Sequence, residues 1–439
     1  MKNKVLTKLI GAATIIIVLV VGIQIGSKIN QGRVSLGAPV PPSPTRDKIT
    51  PSPTQTSTAK ATETLLTAFS VSQIPMCTFD QRVVSPMAES MLEAYVFSEP
   101  QVVLTHTVAI KIVEWLPDNQ RLLIKRQISD QTSREYIEVF DTQTGEIQRY
   151  GETRYSGAEP IWLQAEQAVA YIDFTPDDQR TLYISRGEQA IENVDSNVIG
   201  RHLARMANGR QVIYFDATTR GQPQMFDLVQ TRKASFRTDL RLPAIEATLP
   251  DYRAQYRIAV HPNETQIAFY NNSAFYLSDI ASGQVCEIDL GMHSGRKQWA
   301  LSAHWSPDGR YLAAFVVIGK PIVPFIHLTL VDMLTGEQHL IDMNNDHLYA
   351  LAWAPSSRDF LLLGQDPETE HRHELYLVDA VTGNTRLVLE NYPFMYTAFH
   401  GVVWSSTGQT IALSCPIIDS MNSKVTQRQL CIITVGVKQ

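Results

Sequence analysis

His304-Trp305-Ser306-Pro307-Asp308-Gly309-Arg310-Tyr311-Leu312-Ala313-Ala314-Phe315 is the stretch that decides the fold of this chain. It reads as the end of one strand, a tight turn and the start of a second strand. Pro307 presets φ at the first turn position, Asp308 suits the second, and Gly309 supplies the positive φ that closes the turn. Tyr311 to Phe315 is a short apolar run of strand type. Alone this would be a hairpin, but the chain carries weaker copies of it.

Seven related modules run from about residue 107 to the end. The copies are Glu114-Trp115-Leu116-Pro117-Asp118-Asn119, Ile161-Trp162-Leu163, Arg205-Met206-Ala207-Asn208-Gly209 and Val260-His261-Pro262-Asn263. After the opening stretch come Ala352-Trp353-Ala354-Pro355 and Val403-Trp404-Ser405-Ser406-Thr407-Gly408. Aligned on Trp115, Trp162, Met206, His261, Trp305, Trp353 and Trp404, successive spacings are 47, 44, 55, 44, 48 and 51 residues. Five of the six tryptophans fall in this one register, which makes it a structural position.

Each turn leads into an apolar strand. A second signal follows later in the module: Asp141 to Gly145, Asp279 to Gly283, Asp332 to Gly336 and Asp379 to Gly383. Asp begins that turn and Gly takes its left-handed position, so the chain reverses into a fourth strand. Four strands in 40–50 residues is the signature of a β-propeller blade. The expected fold is all-β, a propeller of seven four-stranded blades over 107–439, with six or eight left open because the modules at 155–240 are degenerate. A Trp ending each first strand is placed to wedge between neighbouring blades. The last module holds only three strands. Its fourth is expected from the segment 76–106, where Ala94-Tyr95-Val96-Phe97 and Gln101-Val102-Val103-Leu104 are strand candidates.

The Trp-Ser-Pro-Asp-Gly turn, the Leu-Val-Asp…Thr-Gly-Glu turn and the spacing resemble the TolB-like, WD-repeat-like propellers of bacteria. The likeness covers roughly 107–439, is strongest at 298–343 and 347–390, and is poorest at 155–240. It implies a ligand- or protein-binding scaffold and no particular chemistry, because propellers host many functions.

Charge divides the chain. Residues 1–64 hold eight Lys/Arg against two Asp/Glu, a balance of +6, and the remainder holds 30 against 42, or −12. An acidic folded part argues against a nucleic-acid surface. Lys2, Lys4 and Lys8 precede an uncharged run from Leu9 to Gly26, at the threshold length for crossing a bilayer. The reading is a cytoplasmic tail at 1–8 and a transmembrane helix at 9–26, with a cleaved signal peptide as its rival. Residues 27–75 form a linker, rich in Pro, Ser and Thr from 38 to 64, that cannot bury enough surface to order itself. The propeller is therefore expected outside the cytoplasm, tethered by a single pass through the cell membrane.

No G-x-S-x-G, H-E-x-x-H or phosphate-binding loop is present, so no catalytic residue and no cofactor is assigned. His371 and His373 form an H-x-H pair, the nearest approach to a metal site, and read better as part of a polar loop. The recurrent Asp141, Asp279, Asp332 and Asp379 read as turn residues rather than acids. Cys415 and Cys431 lie on expected hairpin partners and are a disulfide candidate against two buried thiols. Propellers bind at the channel mouth where first strands begin. His106, Tyr155, His202, Tyr256, Trp299, Tyr349 and His400 stand there and are the ligand-binding candidates. The functional expectation is a binding or scaffold module for a protein, peptide or cell-envelope glycan. The alternative is a propeller hydrolase or lyase with its site in the funnel.

Overall fold

The computed structural model describes residues 74–79 and 89–438, apart from 130–131, 155–158, 175–178, 189, 217, 219–222, 236–256, 272–273, 294–295, 298, 319–324, 342, 344–347, 366–371, 394–400, 416 and 420–423. The expected tail, the expected membrane helix and nearly all of the linker lie outside these residues. No described helix is long and apolar enough to cross a membrane.

The described residues form seven antiparallel sheets of blade type. Blades one to six span 110–154, 161–195, 198–235, 257–287, 299–341 and 348–393, each a four-stranded meander. Blade seven takes Val402–Trp404, Thr410–Ser414 and Lys424–Val437 from the end of the chain. Its outer position is filled from upstream, where Tyr95–Phe97 and Gln101–His106 both pair with Lys424–Val437.

Burial shows that the sheets close into a ring. There are seven apolar clusters, and each joins two consecutive blades. The one that completes the circle packs Ile110, Ile124 and Phe140 of blade one against Ala412 and Leu430 of blade seven. Seven sheets with seven interfaces leave no free face. The poorly matching region therefore supplies blades two and three, and the blade count is seven. Blade two makes its first turn with a 3-10 segment, Gln164–Glu166, and Gln167 at φ 47° takes the role that Gly309 has at φ 77°.

The hairpin register corrects the alignment in two blades. One residue at the end of each first strand, or next to it in blade two, pairs with a residue seven further on: Trp115 with Leu122, Trp162 with Val169, Trp305 with Leu312, Trp353 with Phe360 and Trp404 with Ile411. In blades three and four that position belongs to Arg205 and Val260, not to Met206 and His261. Pro and Gly spacing cannot reveal a one-residue offset where the tryptophan is missing.

The position has a physical role. A first strand has one unpaired edge facing the ring axis, and its carbonyls need donors. Trp115 Nε1 donates to Val403 O at 3.2 Å, Trp305 Nε1 to Ala259 O at 3.0 Å and Trp353 Nε1 to His304 O at 3.3 Å, each in the preceding blade. Arg205 does the same with its guanidinium, donating to Trp162 O at 2.8 Å. Trp404 instead donates to Gly408 O in its own turn. Val260 has no donor, and the next residue, His261, packs edge-on to Trp305 with ring centroids 4.8 Å apart. This contact explains Gly309 further, since a Cβ there would lie 1.9 Å from His261 Nε2.

The turn aspartates act structurally. Asp332 Oδ1 accepts from the Leu334 and Thr335 amides, and Asp141 Oδ1 from those of Gln143 and Thr144. Asp227 does the same in blade three, where the sequence carries no glycine to announce the turn.

Upstream of the ring, residues 74–106 follow its outside. Met76 lies parallel to Glu287 on the outer strand of blade four, and Cys77 is bonded to Cys286. Phe79 packs where a side chain on Gly336 of blade five would sit. Ser90 Oγ and the Met91 amide donate to the fully buried Asp359 of blade six, at 3.0 and 2.9 Å. The segment then enters blade seven, where Tyr95 packs on Trp404. A second disulfide joins Cys415 to Cys431 within that blade, and no described cysteine is free. The pairing of Cys77 with Cys286, 209 residues away, had no sequence signal.

Replacing Trp305 by Ala removes a buried indole and its interblade bond. The expected loss is about 3–5 kcal/mol, read by denaturant unfolding, with Trp305→Phe intermediate; an unchanged midpoint would remove the wedge role. The two disulfides should also rank. Loop-closure entropy assigns about 3 kcal/mol to a 15-residue loop and about 4.7 kcal/mol to a 100-residue loop. Removing Cys77–Cys286, which closes 209 residues, should therefore cost more than removing Cys415–Cys431, which closes 16. Equal losses in paired Cys→Ser variants would show that the outer segment is held without its clasp.

Candidate functional site: the channel mouth

Of the sequence candidates, His106 ends the outer strand of blade seven and lies against blade one. Its Nδ1 accepts from the Val108 amide at 3.2 Å, and its Nε2 is 3.1 Å from the Arg126 guanidinium, which is bound to Glu138. Burial, then Arg126, holds the His106 imidazole below its ordinary pKa, so it is a neutral packing group. His202 lies within the first strand of blade three, half-buried. Trp299 opens the first strand of blade five, and Tyr349 is the second residue of that in blade six. Tyr155, Tyr256, His400 and His371 lie outside the described residues. His373 is buried in the third strand of blade six, opposite Gln365. Among the described residues no group of three or more His, Cys, Asp or Glu is placed to hold a metal ion.

The structure brings forward residues that this reading of aromatic and imidazole groups passed over. They are charged and stand where first strands begin. In blade one Lys111 and Lys125 are directly opposed across two strands. Like charges so placed destabilise a sheet. Glu135 relieves them, with one oxygen 3.3 Å from Lys111 and the other paired to Lys125. Lys125 and Glu135 are 2% and 1% exposed, so water does little to screen the group. Burial draws the Lys125 ammonium below its ordinary pKa, and Glu135 opposes that shift.

Glu159 stands two residues before the first strand of blade two. It keeps contact with solvent, yet desolvation raises its carboxyl above the usual range, with Lys125 and Lys111 opposing. The same carboxyl acts on Tyr270 in blade four. Its place just ahead of an inner strand sets it at the mouth of the channel. Deeper in, His304 precedes Trp305 on the first strand of blade five as Glu114 precedes Trp115 in blade one, and desolvation pushes its imidazole down to about 4. Arg257 opens the first strand of blade four and is drawn below its ordinary value by burial.

Further along the channel, Glu114 ties three blades. One oxygen accepts from the Trp162 amide at 2.7 Å and the other from Arg205 at 2.9 Å. Glu114 and Arg205 are thus used in closing the inner edge, whereas Lys111, Glu159, Arg257 and His304 present their charges and donors to the channel. The sequence signal that could have found Glu159 and Arg257 was a charge at, or just ahead of, a first strand; Arg257 directly follows the named Tyr256.

No family model matches the chain, and no curated protein matches it. Among solved structures it is similar to the crystal structure of TolB from Acinetobacter baumannii, at 13% identity and a TM-score of 0.40, over 69% of this chain and 65% of that one. The chain thus spans about 65% of the length of that protein. The propeller assignment stands on the sheets and interblade clusters of the chain itself.

The channel histidine gives a measurable pH dependence. Its folded pKa of about 4 lies below its ordinary 6.5, so folding favours the neutral ring. That stability is complete above about pH 6.5 and is lost as pH falls toward about 4. Glu159 has the opposite sign, since its raised carboxyl disfavours ionisation in the fold. Comparing wild type with His304→Gln cancels the Glu159 contribution. Between pH 7 and 4.5 the variant should lose less melting temperature than wild type; parallel losses would remove His304 from the desolvated channel.

Proposed function

We propose that this chain is a membrane-tethered, extracytoplasmic propeller that binds a protein, peptide or cell-envelope glycan at the channel mouth and performs no chemistry there. What supports the reading is that Lys111, Glu159 and Arg257 all stand at, or just ahead of, the start of a first strand, on blades one, two and four of a closed ring. Function on propellers is built from groups held by first strands and their loops. The tether rests on the uncharged run from Leu9 to Gly26 behind three lysines. The compartment is supported by two disulfides, which persist in oxidising surroundings. A hydrolase or lyase reading draws on one observation, the raised carboxyl of Glu159, which is the kind of group that serves as a general acid.

Site-specific photo-crosslinking in the parent cells tests the binding reading. A crosslinking residue placed at Glu159 should form a discrete adduct, and one at Leu340, exposed on the outer strand of blade five, should not. Adducts only from Leu340, or from neither position, would overturn the channel mouth as the binding face.

A further inference from the structure

Arg257 and Tyr270 are directly opposed on the first two strands of blade four, so their side chains leave the same face of the sheet as neighbours. The Tyr270 ring is fixed. It stacks on Phe275 with centroids 5.3 Å apart and planes 11° from parallel. Its hydroxyl oxygen accepts the Ala303 amide of blade five at 3.0 Å. That bond occupies an acceptor site and leaves the hydroxyl proton to be donated. Among the described residues no acceptor takes this proton, and no carboxylate or carbonyl pairs with the Arg257 guanidinium. Other described arginines near the first strands are committed: Arg126 to Glu138 and Arg205 to Glu114. A desolvated guanidinium without a counter-ion is costly unless something supplies one.

The surroundings decide the sign of the missing group. Glu135 pairs with both Lys111 and Lys125, whereas Arg257 keeps a positive charge with no carboxylate paired to it among the described residues, so the missing group is an anion. A planar guanidinium beside a hydroxyl donor suits a planar carboxylate, which can accept from both.

We propose that Arg257 and Tyr270 form a carboxylate-binding pair that anchors one acidic group of the partner, either an Asp or Glu side chain or a chain-terminal carboxylate. This rests on the reading of the channel mouth as the binding face. It narrows the partner to one that presents a carboxylate into the channel.

Two probes against the full chain in detergent separate the two sources. Pentaglutamate with both ends blocked offers only side-chain carboxylates, and pentaalanine with a blocked N-terminus and a free C-terminus offers only the terminal one. At low salt at least one should bind by calorimetry. Arg257→Gln should weaken it by about tenfold or more, and Tyr270→Phe by roughly threefold, as expected for lost charge-assisted and neutral hydrogen bonds. Arg257→Lys keeps the charge without the fork and should fall between wild type and Arg257→Gln, so the test holds even if Arg257→Gln folds poorly. Binding of neither peptide, or unchanged affinity in Arg257→Lys and Tyr270→Phe, would overturn the pair. Inorganic phosphate displacing the peptide at equal concentration would overturn the preference for a carboxylate. Chitotetraose binding that is indifferent to Arg257 would assign the mouth to an uncharged glycan instead. A Glu159 adduct together with either of these negative results would leave the binding face standing and remove only the carboxylate pair.

Discussion

The ring depends on what happens at the inner edge of each blade. A first strand is paired on one side only, and its other carbonyls and amides face the axis. Left dry and unpaired, each would cost about 1–3 kcal/mol. The next blade supplies the donor. Trp305 reaches Ala259, Trp353 reaches His304, and Trp115 reaches Val403 across the seam where the ring closes. The indole suits this task because it couples one N–H donor to a large apolar body that fills the space between two sheets. A guanidinium can replace it if a carboxylate balances its charge, which is the combination Arg205 and Glu114 provide around Trp162.

Closure also uses a second device, at blade seven. Strands from upstream occupy its outer edge, and the same upstream segment touches blades four, five and six before it arrives there. A ring closed only by hydrogen bonds at one blade can open at that blade. Here the closing segment is also covalently bonded to blade four by Cys77–Cys286. Opening the seam then leaves the outer strand tethered near its partner, which reduces the entropy gained on release.

The rigidity that follows lets the mouth hold charges in a poorly hydrated passage. Lys125 and Glu135 are buried as a pair, His304 is kept neutral and Glu159 resists ionisation. In a flexible loop such groups would turn toward water. Held by a closed ring, they stay, and each desolvated donor adds to the attraction for a group that enters.

Much of the architecture was legible because turn chemistry is local. Pro307, Asp308 and Gly309 specify one hairpin without help from the rest of the chain, and its copies specify the repeat. The four-stranded modules and the aspartate turns followed by the same logic. Blade two was harder to read, because a 3-10 turn ending at Gln167 carries none of that signature. The site was much less legible. Aromatic and imidazole residues ahead of each first strand pointed to the mouth, and one of them, His106, is packed against Arg126 at the end of the outer strand of blade seven. By itself the sequence determined the repeat and most of its strands and turns, since those depend on neighbours in the chain, while the closed ring settled the count at seven. Only the tertiary structure decided that Cys77 meets Cys286, that Arg205 stands in for a tryptophan, and that Lys111, Glu159 and Arg257 share one passage. Those facts depend on closing the ring, which brings together residues that are far apart in sequence and removes the water between them.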